Sequence, residues 1–415
     1  MLAIKNVTTQ TVKVQILPDD EQIEIFRHSQ KCFVDACNFI SSYIFEHDNC
    51  LDLKLTHNAT YHEIRDAYGL PSQIAQSAIR EVIAKYKTIR TEMSKSPFRF
   101  KRADTGQWVK IQKDLNWLHK PVYFKLPKLV LVRKRAYSKL QDDVMSISTL
   151  DGRLKVKAIL DKDYLNKFKS GDWRFGEAEL LERNNKWFLH ISATKSIAKV
   201  DRLDIKQVVG IDRGIRQLMT TYDSNNQTQF FSGQTVKLKR AKYKKLRQQL
   251  QSKGTPSAKR LLKRLNQKEN SWMNDVNHQL SKALIDYYGA NTLFVLEDLT
   301  GVRSQTEKVK LKDRYVSISW AYYDLEQKLS YKAAEVGSLV VKVDAHYTSQ
   351  RCSRCGRIDK TSRNNKKHEF HCTGCGYRTN DDRNAAKNIH ELGKQWMSGS
   401  RRPRYTKVEP KIEYQ

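Results

Sequence analysis

The sequence predicts a multidomain protein in which a helical part, an antiparallel β part and an α/β part follow one another. Its 415 residues correspond to between two and four domains at roughly 100 to 200 residues per domain. Apolar residues recur at helical spacing over 21–87, whereas 144–194 alternates as strands do. Farther along, two apolar strands, each ending in a carboxylate at Asp212 or Glu297, are accompanied by helical segments, which indicates an α/β unit.

The charge balance indicates a polyanionic partner. Lys and Arg total 76 and Asp and Glu total 45, which leaves a formal net charge of +31. Such an excess repels itself without a polyanion, so nucleic acid is the expected partner. The apolar fraction of 39% excludes a wholly disordered chain. No stretch approaches the roughly 20 apolar residues of a membrane span, and the amino terminus lacks a signal-peptide pattern. We therefore expect an intracellular protein with no membrane partner.

The amino-terminal part is predicted to be a strand at Val12 to Leu17 followed by a small helical bundle. Leu70-Pro71 opens one of its helices, with Ser72 as the expected cap. This helix presents four polar candidates for base contacts: Gln73, Gln76, Ser77 and Arg80. Gln and Arg can bind adenine or guanine edges in the major groove, and the alternative is an ordinary polar helix surface.

Two basic stretches are candidate nucleic-acid surfaces. Residues 80–139 contain 17 basic and four acidic residues with aromatic residues between them, which suits backbone contact and base stacking. The alternative is core aromatics beside solvated lysines. Residues 237–268 contain 13 basic residues and no acidic one, in a helical hairpin broken near Gly254. Its candidate phosphate contacts are Lys239, Arg240, Lys244 and Arg247, and the alternative is a solvated face.

Strand signals fill 144–194. They include Ile147 to Leu150, a hairpin turn at Asp151-Gly152, and a strand from Trp187 to Ala193 after Asn184-Asn185. The predicted antiparallel module is expected to include the Val12 strand.

Four cysteines predict a structural zinc site. Cys352, Cys355, Cys372 and Cys375 form two pairs, each with two residues between its members, separated by 16 residues, and Gly356 and Gly376 follow the pairs. Four thiolates leave no open coordination position, so the zinc should support the fold. The scattered Cys32, Cys37 and Cys50 are interpreted as ordinary buried residues; a second metal site or redox pair is the alternative.

Three carboxylates predict a magnesium site. Asp212 and Glu297 each end an apolar strand. The third carboxylate lies at the start of the final helix, where Asp381 and Asp382 are adjacent. Carboxylates so placed can converge on two Mg²⁺ ions about 3.5 to 4 Å apart, which activate water and stabilise the leaving oxygen in phosphodiester cleavage. Any one of them alone is more typical of a cap or an ion pair.

Several motifs together resemble the TnpB family of transposon-encoded RNA-guided DNA nucleases, which is similar to the compact type V CRISPR effectors. They are Gly210-Ile211-Asp212-Arg213-Gly214, Leu296-Glu297-Asp298-Leu299, Tyr347-Thr348-Ser349-Gln350-Arg351-Cys352-Ser353-Arg354-Cys355-Gly356 and Asp382-Arg383-Asn384-Ala385-Ala386. The resemblance is sharp over 208–392. In the amino-terminal half it extends more loosely, through Leu70-Pro71-Ser72-Gln73 and Phe124-Lys125-Leu126-Pro127.

The resemblance implies an RNase H-like RuvC nuclease domain with an inserted zinc ribbon, preceded by a β-barrel wedge domain that carries a helical recognition insertion. The expected boundaries are 1–20 and 121–205 for the wedge, 21–120 for the recognition domain, 206–345 and 381–396 for the nuclease, 346–380 for the ribbon and 397–415 for a disordered basic tail. Asp212, Glu297 and Asp382 match the family's metal-binding carboxylates. The usual Asp-Arg-Asp is here Asn380-Asp381-Asp382, and the residue two before Asn384 selects Asp382 as the ligand. Asp381 is expected to serve the helix start.

The implied function is cleavage of double-stranded target DNA, directed by a guide RNA and a short adjacent duplex motif, by one chain on one guide RNA. The implied location is the cytoplasm of a prokaryotic cell, in association with the nucleoid. Three alternatives remain at this stage: a compact type V CRISPR effector, an unguided nuclease or strand-transferring transposase, and a non-cleaving RNA-guided DNA-binding protein.

Overall fold

The computed structural model describes residues 7–140, 143–299, 322–364, 366–401 and 403–406. The chain divides into a first unit, Thr9–Ser196, and a second unit made of Met1–Thr8 and Ile197–Gln415. The division falls at Ile197, a few residues before the predicted start of the nuclease domain at 206. The finer domain assignments stay predictions.

Three helices of the first unit follow from its helical spacing and local caps. They are α1 (Asp20–Glu46), α2 (Leu53–Tyr68) and α3 (Ser72–Lys95). Asp19 and Asp52 cap the first two, each through a carboxylate that accepts a backbone N–H three residues later. Helix α3 differs from the expectation, because Pro71 occupies its cap position, without a side-chain hydrogen bond, and Ser72 is its first residue. Apolar residues such as Phe26 and Ile79 are fully buried in this unit.

In the part of the first unit that the structure describes there are also nine strands and one further α-helix. They are β1 (Val7–Leu17), β2 (Phe98–Lys101), β3 (Trp108–Ile111), β4 (Leu129–Leu131), β5 (Tyr137–Lys139), β6 (Val144–Thr149), β7 (Gly152–Ile159), α4 (Lys162–Ser170), β8 (Trp173–Arg183) and β9 (Lys186–Ser196). Seven of the strands form one sheet in the order β4-β8-β9-β1-β7-β6-β5. Its two outer strands are consecutive in the chain and meet at a bridge between Arg133 and Tyr137, so the sheet is nearly closed into a barrel. The expected pairing of the first strand with this module is present, with Ile16 opposite Ala158.

The second unit is built on a mixed five-stranded sheet. Its strands are β10 (Gln207–Asp212), β11 (Gln217–Asp223), β12 (Thr228–Ser232), β13 (Thr292–Glu297) and β14 (Leu339–Val343), in the order β12-β11-β10-β13-β14. Strands β10, β13 and β14 are parallel, and β11 and β12 are antiparallel to their neighbours. Parallel strands end at the same edge of a sheet, so the carboxyl ends of β10 and β13 lie side by side.

Helices cover both faces of this sheet because its central strands are apolar on both sides. They are α5 (Gln234–Lys253), α6 (Pro256–Tyr288), α7 (Tyr322–Glu335) and α8 (Asp381–Met397). Val209 and Phe294 share one core with residues of α6 and α7. The neighbouring Val208 and Val295 point to the other face and share a core with Ile389 of α8.

A small three-stranded sheet leads into α8. It consists of β15 (Arg363–Asn364), β16 (Glu369–His371) and β17 (Arg378–Asn380). Beyond α8 the structure differs from the predicted disordered tail, because Tyr405 is buried and its hydroxyl donates to the Asn388 carbonyl at 2.7 Å. The rest of that prediction, residue 402 and residues 407–415, lies outside the described residues. No helix among the described residues is long and apolar enough to cross a membrane.

Candidate functional site

Asp212 and Glu297 lie at the edge of the sheet where β10 and β13 end. The parallel register pairs Ile211 with Leu296, which places the two carboxylates next to each other. Glu297 is only 9% exposed. Burial raises the pKa of Asp212 well above its usual range, and the nearby charges of Glu297 and Asp382 raise it further. The three predicted carboxylates are therefore close enough to interact electrostatically.

Glu297 is held by two residues that sequence reasoning did not single out. The Thr348 hydroxyl donates to the Glu297 carboxylate, and the buried Arg213 guanidinium donates to the Glu297 backbone carbonyl. Burial raises the pKa of Glu297, while the Thr348 hydrogen bond and the positive charges of Arg213 and Arg363 oppose that rise. Thr348 and Arg213 belong to two of the sequence motifs that resemble the TnpB family. Membership of those motifs is the sequence signal that could have identified them.

Asp382 reaches the same edge because α8 begins there and packs against β10. The Asn380 side chain caps the helix by accepting the Arg383 backbone N–H at 3.0 Å. Burial raises the pKa of Asp382, the neighbouring Asp381 raises it further, and Arg363, His368 and Arg216 oppose the rise. This network of charges joins residues of the ribbon, the loop before β11, and α8.

Asp381 is a buried ion-pair partner, although the sequence suggests only a helix-start residue. It is 1% exposed, and the Arg363 Nε atom lies 3.1 Å from its carboxylate. The His368 Nδ1 atom lies 3.6 Å from its other oxygen. Asn380 caps α8. Asp381 is therefore an ion-pair partner of Arg363 and not the cap of the helix. No sequence pattern signalled Arg363 or His368.

Two groups of described residues have potential ligand atoms that all lie within 4.8 Å of one another. One is the four cysteines of the ribbon, and the other is His368 with Asp381 and Asp382. The set Asp212, Glu297 and Asp382 is not one of these groups. Its members are neighbours at the sheet edge with a wider spacing than a single compact ion site. Their oxygen donors are those that Mg²⁺ prefers.

The four-cysteine group fits a tetrahedral zinc ion. The Sγ atoms of Cys352 and Cys375 are 3.8 Å apart, and those of Cys355 and Cys372 are 3.6 Å apart. Zn–S bonds of 2.3 Å in a tetrahedron require S···S separations of about 3.8 Å. The backbone N–H of Gly374 points to the Cys372 sulfur at 3.4 Å, which stabilises a thiolate there.

The three scattered cysteines have a different setting. Cys37 is buried in the core of the first unit, and Cys32 and Cys50 are half-buried. None of the three belongs to a metal-ligand group among the residues that the structure describes.

Two asparagines of α8 tie that helix to the beginning of the ribbon. Asn384 accepts the Ser353 backbone N–H at 3.0 Å and donates to the Arg351 carbonyl at 2.8 Å. Asn388 donates to the carbonyls of Thr348 and Arg351. Both asparagines are fully buried, so these bonds form in a low dielectric. The cysteine cluster, the helix that carries Asp382 and the residue that holds Glu297 are thus joined by one set of hydrogen bonds.

The candidate base contacts on α3 are mostly engaged within the first unit. Ser77 is 2% exposed and its hydroxyl donates to the Gln73 carbonyl, which differs from the expected exposed position. The Gln73 side chain accepts from Arg135, and Arg80 lies 3.9 Å from Glu177. Gln76 is half-buried.

The four candidate phosphate contacts on α5 differ in burial and in their contacts within the protein. Arg240 is buried, which differs from the expected phosphate contact, and Arg247 pairs with Glu269 of α6 at 2.6 Å. Lys239 lies 4.4 Å from the Trp272 ring, and Lys244 is half-buried. Arg247 and Lys239 therefore both contact α6, the other helix of the hairpin.

Two family models match parts of the chain. The model OrfB_IS605, described as "Probable transposase", matches residues 194–302. The model described as "Cas12f1-like, TNB domain" matches residues 322–389, which include the four cysteines and Asp382.

The chain is also similar to individual proteins. It is 27% identical over 360 residues to the CRISPR-associated endodeoxyribonuclease Cas12f1 of Sulfoacidibacillus thermotolerans, covering 80% of each chain. It is 29% identical over 205 residues to the TnpB-like protein L79 of Acanthamoeba polyphaga mimivirus, covering 46% of this chain and 38% of that protein. The fold resembles that of Cas12f1 in a Cas12f1-sgRNA-target DNA complex, with a TM-score of 0.59 at 15% identity over 93% of this chain and 99% of that one. These matches confirm the resemblance to the TnpB family.

Proposed function

We propose that this chain, which resembles Cas12f1 and TnpB-like proteins, is an RNA-guided DNA endonuclease that cuts double-stranded target DNA beside a short duplex motif. The observation that carries the proposal is the convergence of Asp212, Glu297 and Asp382 at one sheet edge, in a chain related over 80% of its length to an endodeoxyribonuclease. Base pairing with the guide supplies sequence specificity, and the protein supplies charge and shape recognition.

The carboxylates would hold the catalytic metal. Two Mg²⁺ ions bound by Asp212, Glu297 and Asp382 would activate water and stabilise the leaving oxygen of the phosphodiester. The chain's own contribution is placement: Thr348 and Arg213 fix Glu297. The buried setting disfavours leaving these carboxylates charged without a cation, as the raised pKa of Asp212 indicates.

The strand order supports the RuvC-type, RNase H-like assignment of the second unit. Its central β10 lies between an antiparallel pair and two parallel strands, and helices cover both faces. The nearly closed sheet and three helices of the first unit support the wedge and recognition assignments. The zinc ribbon would be structural, because four thiolates leave no open position.

Guide RNA is the partner that the charge favours. The excess of +31 suits a particle that carries RNA. In the first unit the hairpin β2–β3 exposes Trp108 (70%) among basic residues, as a stacking surface on nucleic acid requires.

The test is purification at moderate salt, sequencing of the RNA that accompanies the protein, and cleavage of a DNA that matches that RNA. We expect a structured RNA and Mg²⁺-dependent cleavage that Asp212→Ala abolishes without loss of RNA or DNA binding. RNA-free protein that cuts DNA at full rate would end the guided proposal. The mass of the particle tests the prediction of one chain per guide RNA.

A second candidate, DNA strand transfer, is favoured by the match of residues 194–302 to a model described as "Probable transposase". The same carboxylates serve hydrolysis and transesterification. Analysis of products separates them, because hydrolysis leaves free ends and strand transfer joins one DNA to another. A non-cleaving DNA-binding role is disfavoured, because all three carboxylates are present.

A further inference from the structure

A cavity of about 640 Å³ opens in the second unit beside the carboxylates. It is lined by residues of β11, the loops before β11 and α5, the first turn of α5, and the ribbon: Ile215, Arg216, Gln217, Ser232, Gly233, Gln234, Lys237 and His368. A space of this size lies within the range of roughly 300 to 1,000 Å³ that ligand sites occupy.

The side chains of the cavity suit an anion. Arg216 and Lys237 line it, and no carboxylate is among its eight lining residues. Both cations are exposed, so their charges are available to a ligand. Among the described residues, the His368 Nδ1 atom is buried without a hydrogen-bond partner, which leaves one ring nitrogen of the lining unsatisfied.

His368 of the ribbon connects the cavity lining to the neighbourhood of the carboxylates. The His368 Nδ1 atom lies 3.6 Å from Asp381, the residue that precedes Asp382. Arg216 and Lys237 line the same cavity as His368. The two cations therefore lie in a cavity that borders the residue before Asp382.

The backbone of His368 is held in an unusual conformation at this point. Its φ of 56° is in the left-handed region, which residues with a Cβ rarely adopt. Its carbonyl accepts from the Asn380 side chain at 3.2 Å and from the Asp381 backbone N–H at 3.3 Å. These bonds fix the ribbon side of the cavity relative to the start of α8.

We propose that this cavity binds a backbone phosphate next to the scissile phosphodiester of the DNA strand being cut, with Arg216 and Lys237 as positioning residues. The inference rests on the proposed function. DNA is favoured over the guide RNA because the cavity adjoins the carboxylates, where only the strand being cut has to lie. Two cations hold the neighbouring phosphate, so the scissile phosphate is placed against Asp382.

The test combines a double variant with a modified substrate. Arg216→Gln with Lys237→Gln should lower the single-turnover cleavage rate at least about tenfold, the loss expected for charge-assisted hydrogen bonds to one phosphate. In the unaltered protein, a neutral methylphosphonate at one position next to the cut should give a similar loss. In the double variant the same methylphosphonate should cause little further loss, because the two changes remove one interaction.

The control is Lys282→Gln, which removes one positive charge, where the double variant removes two, at an exposed α6 position outside the cavity. It should cut at the normal rate and show full sensitivity to the methylphosphonate. The inference would be overturned if the methylphosphonate lowered the cleavage rate of the double variant by the same factor as in the unaltered protein. It would also be overturned if the double variant cut unmodified DNA at the normal rate. Loss of co-purified guide RNA from the double variant would assign the cavity to RNA and overturn it as well. Failure of the unaltered protein to cut guided DNA would instead contradict the proposed function.

Discussion

Gly210 of β10 lies against His390 of α8 so closely that a methyl group on Gly210 would be 2.3 Å from the His390 backbone nitrogen. The same methyl would also be 2.3 Å from the Ala386 carbonyl oxygen. Gly393 repeats the arrangement one turn later, where a methyl would lie 2.5 Å from Val295. Glycine at these two positions therefore sets how near the helix that begins with Asp381 and Asp382 comes to the strands that end in Asp212 and Glu297.

Gly210→Ala should separate α8 from β10. Because the obstacles are backbone atoms, the helix must shift, which overpacking data place at roughly 1 to 3 kcal/mol of lost stability. We expect a lower midpoint of thermal unfolding and a loss of cleavage. The matched control is Gly176→Ala in β8, where the added methyl would meet Ser192 at an ordinary 3.7 Å. Normal stability and cleavage in Gly210→Ala would contradict this account of the packing.

Cys372→Ser should remove one zinc ligand and unfold the ribbon, because metal ligation supplies local folding energy. Cleavage should be abolished, since Asn384 and Asn388 no longer meet an ordered ribbon, while much of the RNA binding should remain. Metal analysis should show zinc lost from this variant and kept in Cys50→Ser, whose thiol is outside the cluster. Full activity of the protein after strong chelation and Mg²⁺ resupply would show that the ribbon is dispensable.

Asp382→Ala and Asp381→Ala should behave differently. Asp382→Ala, like Asp212→Ala and Glu297→Ala, should abolish cleavage with guide and target binding intact. Asp381→Ala should still cut, but it removes the nearer carboxylate of Arg363, which keeps Asp382 at 3.8 Å, at a cost of roughly 1.5 to 3 kcal/mol. Cleavage, binding and thermal unfolding are measured on the single variants.

The outcomes for this pair are distinct. An inactive Asp381→Ala beside an active Asp382→Ala would reverse the assignment of the ligand. If both variants cut DNA, the proposed two-metal site would be wrong. An Asp381→Ala variant of unchanged stability would show that the ion pair with Arg363 contributes little.

His390 should make the fold less stable as the pH falls below neutral. Burial lowers the pKa of His390 from 6.5 to about 4, so the folded state keeps this ring neutral while the unfolded chain binds a proton. Stability from this group is fully present above about pH 6.5 and is lost as the pH falls towards 4. The loss approaches ~3 kcal/mol at about 1.4 kcal/mol per pKa unit.

Denaturant unfolding between pH 7 and pH 4.5 checks this expectation. His390→Gln should flatten the pH dependence, whereas His119→Gln, at an exposed position, should leave it unchanged. An unaltered slope in His390→Gln would assign the acid sensitivity to other groups.

Local chemistry was the part that the sequence could determine. Two cysteine pairs at ligand spacing predict a zinc site without further context, because each pair depends on residues close together in the chain. Likewise, Asp212 and Glu297 follow apolar strands, and parallel strands end at one edge of a sheet, so their proximity follows from pattern alone. Selection of Asp382 over Asp381 came from the family motif.

Contacts between residues that are far apart in the sequence were decided only by the tertiary structure. The Asp381–Arg363 pair, the Thr348–Glu297 hydrogen bond and the cavity beside Arg216 join residues whose types are common and whose spacing follows no period. For the same reason, Arg240 and Ser77 were expected to contact nucleic acid at the surface but are buried in the structure. Whether a polar side chain faces solvent or a neighbouring helix is set by packing, and a single sequence does not specify that packing one residue at a time.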